Sequence, residues 1–176
     1  MDVGTCKDAT RARVPSARSR CARLALSCAL LASSFAVGAQ APDPDGTPVF
    51  DSVQWPITDA TRHLIQVQTG GSIDAHFDTD LPGACDGDVT RRPGVHLDVT
   101  EPGGILFAAR SQSRTRPTLL VHAPDGRWHC DHGNFGRRPP AVQIDSPLTG
   151  RYAIWVGAYE SPDGDAELVI ERLPAG

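Results

Sequence analysis

Six histidines, His63, His76, His96, His122, His129 and His132, are the residues of this chain best suited to metal or acid–base chemistry, and three of them surround one turn. That turn is Ala123-Pro124-Asp125-Gly126, and its geometry decides which side chains meet. If Asp125-Gly126 forms a two-residue loop, His122 lies opposite His129, with Asp131 one step along on the same face and a shared metal within reach. If Pro124 instead takes the second position of a type I turn, with Gly126 as a left-handed bulge, His122 faces Trp128. Proline and glycine favour the second register. The apolar pattern, which would put Leu119 and Val121 on one face with Trp128 and Cys130, favours the first. A slip of one residue exchanges the two faces of a strand, and both registers stay open.

Carboxylates offer a second chemistry. Asp125, Asp131 and His132 cluster in sequence, and the turns Asp86-Gly87-Asp88 and Asp163-Gly164-Asp165 present alternating oxygens of the kind a hard cation such as calcium takes. None matches the twelve-residue calcium loop with its terminal glutamate. A third chemistry is stacking. Trp155 and Tyr159 share one strand face and are the pair that would form a sugar- or peptide-binding stripe, although aromatics on a central strand more often build core. Catalysis has little support. The chain lacks a Gly-x-Ser-x-Gly elbow and a His-Glu-x-x-His pair, so a secreted hydrolase remains only a distant alternative.

The elements that must position these residues read as short strands. From His63 onward, Gly/Pro turns such as Gly70-Gly71, Pro82-Gly83, Pro93-Gly94, Pro102-Gly103 and Pro124-Asp125-Gly126 recur at short intervals. Between them lie nine β-prone runs, and the spacing predicts an all-β sandwich of eight or nine short antiparallel strands. Val95, Leu97 and Val99 fall on one face with His96 and Asp98 on the other. Tyr152 to Tyr159 is apolar on both faces, which predicts a strand buried between layers or covered by a loop.

Residues 1–39 read as a signal peptide: five arginines, a short apolar run from Leu24 to Ala36, then Val37-Gly38-Ala39 before a cut. The run is shorter than the roughly 20 residues of a membrane-spanning helix. Six basic and two acidic residues would leave with it, giving 11 basic and 19 acidic residues and a net charge of −8. Such a charge argues against nucleic acid or an anionic membrane as partner. Cys6, Cys21 and Cys28 would leave too. Cys85 and Cys130 then have one intramolecular pairing, the expected disulfide of a periplasmic or secreted protein. Residues 40–61, rich in Pro, Asp and Thr, are expected to form a loose N-terminal arm, and residues 62–176 the domain.

The segments Gly83-Ala84-Cys85-x-Gly87, Pro124-Asp125-Gly126-x-Trp128-x-Cys130-Asp131 and Gly150-Arg151-Tyr152-x-Ile154-Trp155-Val156-Gly157-x-Tyr159 resemble a group of exported bacterial proteins. Those proteins are similar to the bacterial pre-peptidase C-terminal domains, which are jelly-roll β-sandwiches often attached to secreted peptidases. The resemblance covers most of residues 58–173. It implies a jelly-roll-like sandwich with a non-catalytic accessory or binding role, acting on an unknown protein, peptide or glycan, in some cases with calcium. Arg114-Thr115-Arg116-Pro117 and Asp131-His132 stand where relatives tend to carry acidic residues. Both departures remove oxygens that calcium would need.

Overall fold

The computed structural model describes residues 41–56, 61–111, 114–161 and 163–174. The expected signal peptide lies outside them. Eleven strands are present among the described residues: β1 Asp51–Trp55, β2 Arg62–Gln68, β3 Ile73–Asp74, β4 Asp88–Val89, β5 Val95–Val99, β6 Ile105–Ser111, β7 Pro117–His122, β8 Trp128–Asp131, β9 Ala141–Ile144, β10 Gly150–Ala158 and β11 Asp165–Arg172.

Eight of them wind as a jelly roll. One sheet runs β2-β11-β6-β9, and the other contains β5-β10-β7-β8, with every neighbour in both antiparallel. Apart from the β7–β8 hairpin, successive strands of this frame cross between the sheets, so each sheet is built from distant parts of the chain. Alternation supplies the core between them. Val95, Leu97 and Val99 of β5, Leu119 and Val121 of β7, and Tyr152, Ile154 and Val156 of β10 meet Phe107 of β6 and Leu168 and Ile170 of β11.

The three further strands are additions to this frame. β3 and β4 are two-residue pieces joined antiparallel beside the end of β10. β1 pairs parallel to β5 over its whole length, and it inserts Val53 and Trp55 into the core. The expected loose arm is therefore corrected for residues 51–55. Val53 and Trp55 alternate with exposed Ser52 and Gln54, and that pattern drives strand formation despite the flanking prolines. Residues ahead of β1 also lie against the sheet, through Asp43 N–H to Arg91 O at 2.7 Å and Phe50 N–H to Gly94 O at 2.9 Å. They cover His96, whose Nε2 is 3.1 Å from Pro44 O.

Candidate functional site

β10 is apolar on both faces because both faces are covered. Tyr152, Ile154 and Val156 point into the sandwich, whereas Ala153 and Trp155 point outward into a second apolar cluster with Leu120, Ile73, Ala75, Cys85 and Val89. The segment carrying β3 and β4 thus lies over the outside of the sheet. A Cys85–Cys130 disulfide, with Cα atoms 4.9 Å apart, ties it to β8. This cover corrects the expected aromatic stripe. Trp155 is 1% exposed and cannot stack on a ligand, while Tyr159 at the end of the strand is half-buried. Burial, then the charges of Glu160 and Asp86, push the Tyr159 phenol up from its ordinary pKa.

The hairpin takes the proline-directed register. Gly126 N–H donates to Ala123 O at 2.9 Å, Gly126 is left-handed at φ 83°, and His122 pairs with Trp128 while Val121 pairs with His129. His122 and His129 therefore lie on opposite faces, and the two-histidine metal site is not formed. The apolar pattern misled because β7 is buried on both sides, so its alternation carried no information about register. His122 instead meets Trp128 edge-on at 4.8 Å. Burial lowers its pKa, against opposing pulls from Asp45 and Asp125. An alanine at Gly126 would have to adopt the same left-handed backbone. Gly126→Ala is expected to lose about 1 kcal/mol in chemical denaturation.

The acidic candidates are already engaged. The Asp131 carboxylate accepts two hydrogen bonds from the Arg138 guanidinium, at 2.6 and 3.0 Å, and one each from the amides of Ala141 and Gly133. Burial raises its pKa, but Arg138 and the two amides outweigh burial and hold it below the ordinary carboxylate value. Asp125 is held low by the Arg127 amide and guanidinium. His132 Nδ1 accepts the Phe135 amide at 3.1 Å, and its ring stacks on Phe135 at 4.4 Å. Among the described residues, no three His, Cys, Asp or Glu side chains come together to hold a metal ion.

Asp131 and His132 serve instead as struts for a left-handed turn. Gly133, Asn134, Phe135 and Gly136 have φ values of 63°, 50°, 57° and 78° in succession. Left-handed backbone costs an L-residue about 1–2 kcal/mol, and the network of Asp131, Arg138 and His132 holds the turn in place.

Phe77 is the surface residue that the sequence did not point to. It is 81% exposed, and it stands between two recesses. On one side is a groove of about 480 Å³, whose apolar lining comes from Pro42, Pro44, Phe77, Leu81 and the half-buried Trp128, with His122, Asp78, Thr79 and Asp80 supplying its polar part. Trp128 is backed by buried Trp155 at 5.3 Å between ring centres. Phe77 is placed by an aspartate turn: Asp74 Oδ1 accepts the amides of His76 and Phe77 at 2.9 and 3.0 Å, and Asp78 accepts the amide of Asp74. The spacing of Asp74 and Asp78 was the available signal. A self-capping turn rather than a continuing strand follows from it.

Fold and surface together define an all-β sandwich of jelly-roll topology with a disulfide-tied covering segment. No family model matches the chain, and no curated protein matches it. Among solved structures, the chain is similar to the pre-peptidase C-terminal domain of collagenase from Bacillus anthracis, at 14% identity and a TM-score of 0.45. That match covers 72% of this chain and 100% of the other.

Proposed function

We propose that this protein is an exported, non-catalytic binding module, and that its ligand is an extended peptide laid in the groove between Phe77 and Trp128. The observation that carries the reading is one recess lined by both the exposed Phe77 and the half-buried Trp128, which is itself packed on Trp155. Large aromatics at the centre of a concave surface are the side chains that dominate peptide and protein binding energy. Leu81, Pro42 and Pro44 make the groove suited to apolar side chains. Trp128, already packed on Trp155 and His122, offers less of the open flat ring that a sugar platform uses. The exported location is supported by the Cys85–Cys130 disulfide, which belongs to oxidising compartments.

Three of the groups that could do acid–base work are held in structural contacts, which fits a non-catalytic role. His96 lies against Pro44 O, His132 receives an amide, and Asp131 is paired with Arg138.

A phage-displayed library of random decapeptides tests the reading. Selection on the wild-type protein is expected to enrich peptides with apolar or aromatic residues, and Phe77→Ala is expected to weaken the selected peptides at least tenfold. Phe77 is exposed enough that the melting midpoint should not change with that variant. Enrichment of nothing, or binding indifferent to Phe77→Ala, would sink the proposal.

A further inference from the structure

One wall of the groove is not part of the sandwich. Pro42 and Pro44 belong to the strap of residues 42–50 that lies against the sheet ahead of β1. Pro44 and His122 also line a second recess of about 230 Å³, together with Asp45, Pro124 and Arg151, so Pro44 stands between the two. We propose that His96 is the positioning residue of this binding surface: its imidazole latches the strap at Pro44 and so sets the wall against which a ligand packs. The inference rests on the peptide-binding reading above and names the residue that shapes that site.

Three observations carry it. The first is how the strap is held. Its ends are fixed by main-chain bonds, Asp43 N–H to Arg91 O at one, and Val49 N–H to Pro93 O with Phe50 N–H to Gly94 O at the other. Between these anchors lie Pro44 and Pro48, which have no N–H to give. Gly46 N–H turns back to Asp43 O within the strap itself. Among the described residues, the hydrogen bond that ties this middle stretch to the sheet runs from His96 Nε2 to Pro44 O, at 3.1 Å.

The second is the burial of the histidine. His96 is 3% exposed although Val95 and Leu97, on either side of it, are the residues of β5 that enter the sandwich core. Its cross-strand neighbours are Ser52 on β1 and Ala153 on β10, both small. Neither is large enough to cover an imidazole, and the strap does so instead.

The third is chemical. A carbonyl oxygen only accepts, so Nε2 carries the proton and the neutral ring is fixed in that tautomer. Trading such a bond for water shifts an equilibrium by roughly fivefold, and His96 thereby biases the strap toward its seated position. A ligand that packs on Pro44 binds in proportion to the fraction of molecules in which the strap is seated.

Three substitutions test the latch. His96→Gln places an amide N–H near the position of Nε2, His96→Asn stops short of it, and His96→Leu removes the donor while keeping bulk. Peptides selected on the wild-type protein should bind His96→Gln as they bind wild type, and should bind His96→Asn and His96→Leu roughly fivefold more weakly. Amide hydrogen exchange supplies a readout that needs no ligand. Asp43 and Gly46 should exchange faster in His96→Asn and His96→Leu and at the wild-type rate in His96→Gln, while the amides of β11, in the opposite sheet, keep their rates throughout. If His96→Leu fails to fold, the contrast between His96→Asn and His96→Gln decides.

Nitrogen chemical shifts of the wild-type ring should place its proton on Nε2, and a neutral ring protonated on Nδ1 would overturn the proposal. So would an equal loss of peptide binding in His96→Gln and His96→Asn, since the donor would then not matter. Selected peptides that bind through Phe77 and ignore His96→Asn would overturn the latch and leave the groove reading intact. Faster strap exchange in His96→Asn while no peptide is selected would sustain the latch and sink the groove.

Discussion

Replacing both Cys85 and Cys130 by serine is expected to lower the stability of the protein by about 4 kcal/mol, the chain-entropy value for a loop of this length. The sequence separation is 45 residues, long enough for a large effect. The loss should also be local. The cross-link ties the segment carrying β3 and β4 onto the outer face of β7 and β10, where it covers Trp155 and Leu120. Without it, the cover is held by the apolar contacts of Ile73, Ala75 and Val89 and by two short strands. Acrylamide quenching of tryptophan emission separates the two effects. The serine variant should show Trp155 becoming accessible at denaturant concentrations well below the main transition, because Trp55, in the sandwich core, stays protected until global unfolding. Coincident exposure of both tryptophans would mean that the cover and the sandwich unfold as one unit.

Asp131→Ala is expected to be the most damaging single substitution outside the apolar core, at roughly 3 kcal/mol. Charge-assisted hydrogen bonds are worth about 1.5–3 kcal/mol each when formed, and removing the acceptor leaves the partners stranded. Here the stranded groups are the Arg138 guanidinium and the amides of Ala141 and Gly133, which join β8, the left-handed turn and β9. The pH dependence has a definite sign. The folded-state pKa lies below the ordinary carboxylate value, so the stabilisation is complete above the ordinary value and is lost as pH falls through the depressed one. Urea denaturation of wild type should weaken over that acidic window, and Asp131→Ala should flatten that part of the curve. Arg138→Ala combined with Asp131→Ala should cost less than the sum of the two, since the pair acts as a unit.

The jelly roll was legible because its strands carry their own periodicity. Val95, Leu97 and Val99 alternate with His96 and Asp98, and eight of the nine β-prone runs form strands of four residues or more, whereas of the run Ser72 to Phe77 only Ile73–Asp74 is strand and the rest is the aspartate turn. β1 was missed because Pro48 and Pro56 flank it, although Val53 and Trp55 alternate in the same way. β3 and β4, at two residues each, are too short to carry any period. The double apolar character of β10 correctly signalled a cover, but not that Trp155 would lie beneath it.

The site was less legible, for a physical reason. Its surface is made where the 74–81 turn meets β7, β8 and the residues before β1, segments far apart in sequence, and Phe77 gains its prominence only from that juxtaposition. The histidines and aspartates around the hairpin attracted attention by type. The structure spends them on capping, on an arginine pair and on holding a left-handed turn.

Amide chemical-shift mapping tests the central reading most directly, using isotope-labelled protein titrated with a library-selected peptide. The predicted result is a contiguous set of shifts at Phe77 to Leu81, His122 and Trp128. Shifts confined to the outer face of the β2-β11-β6-β9 sheet would contradict it, since that would place the ligand on the opposite side of the sandwich.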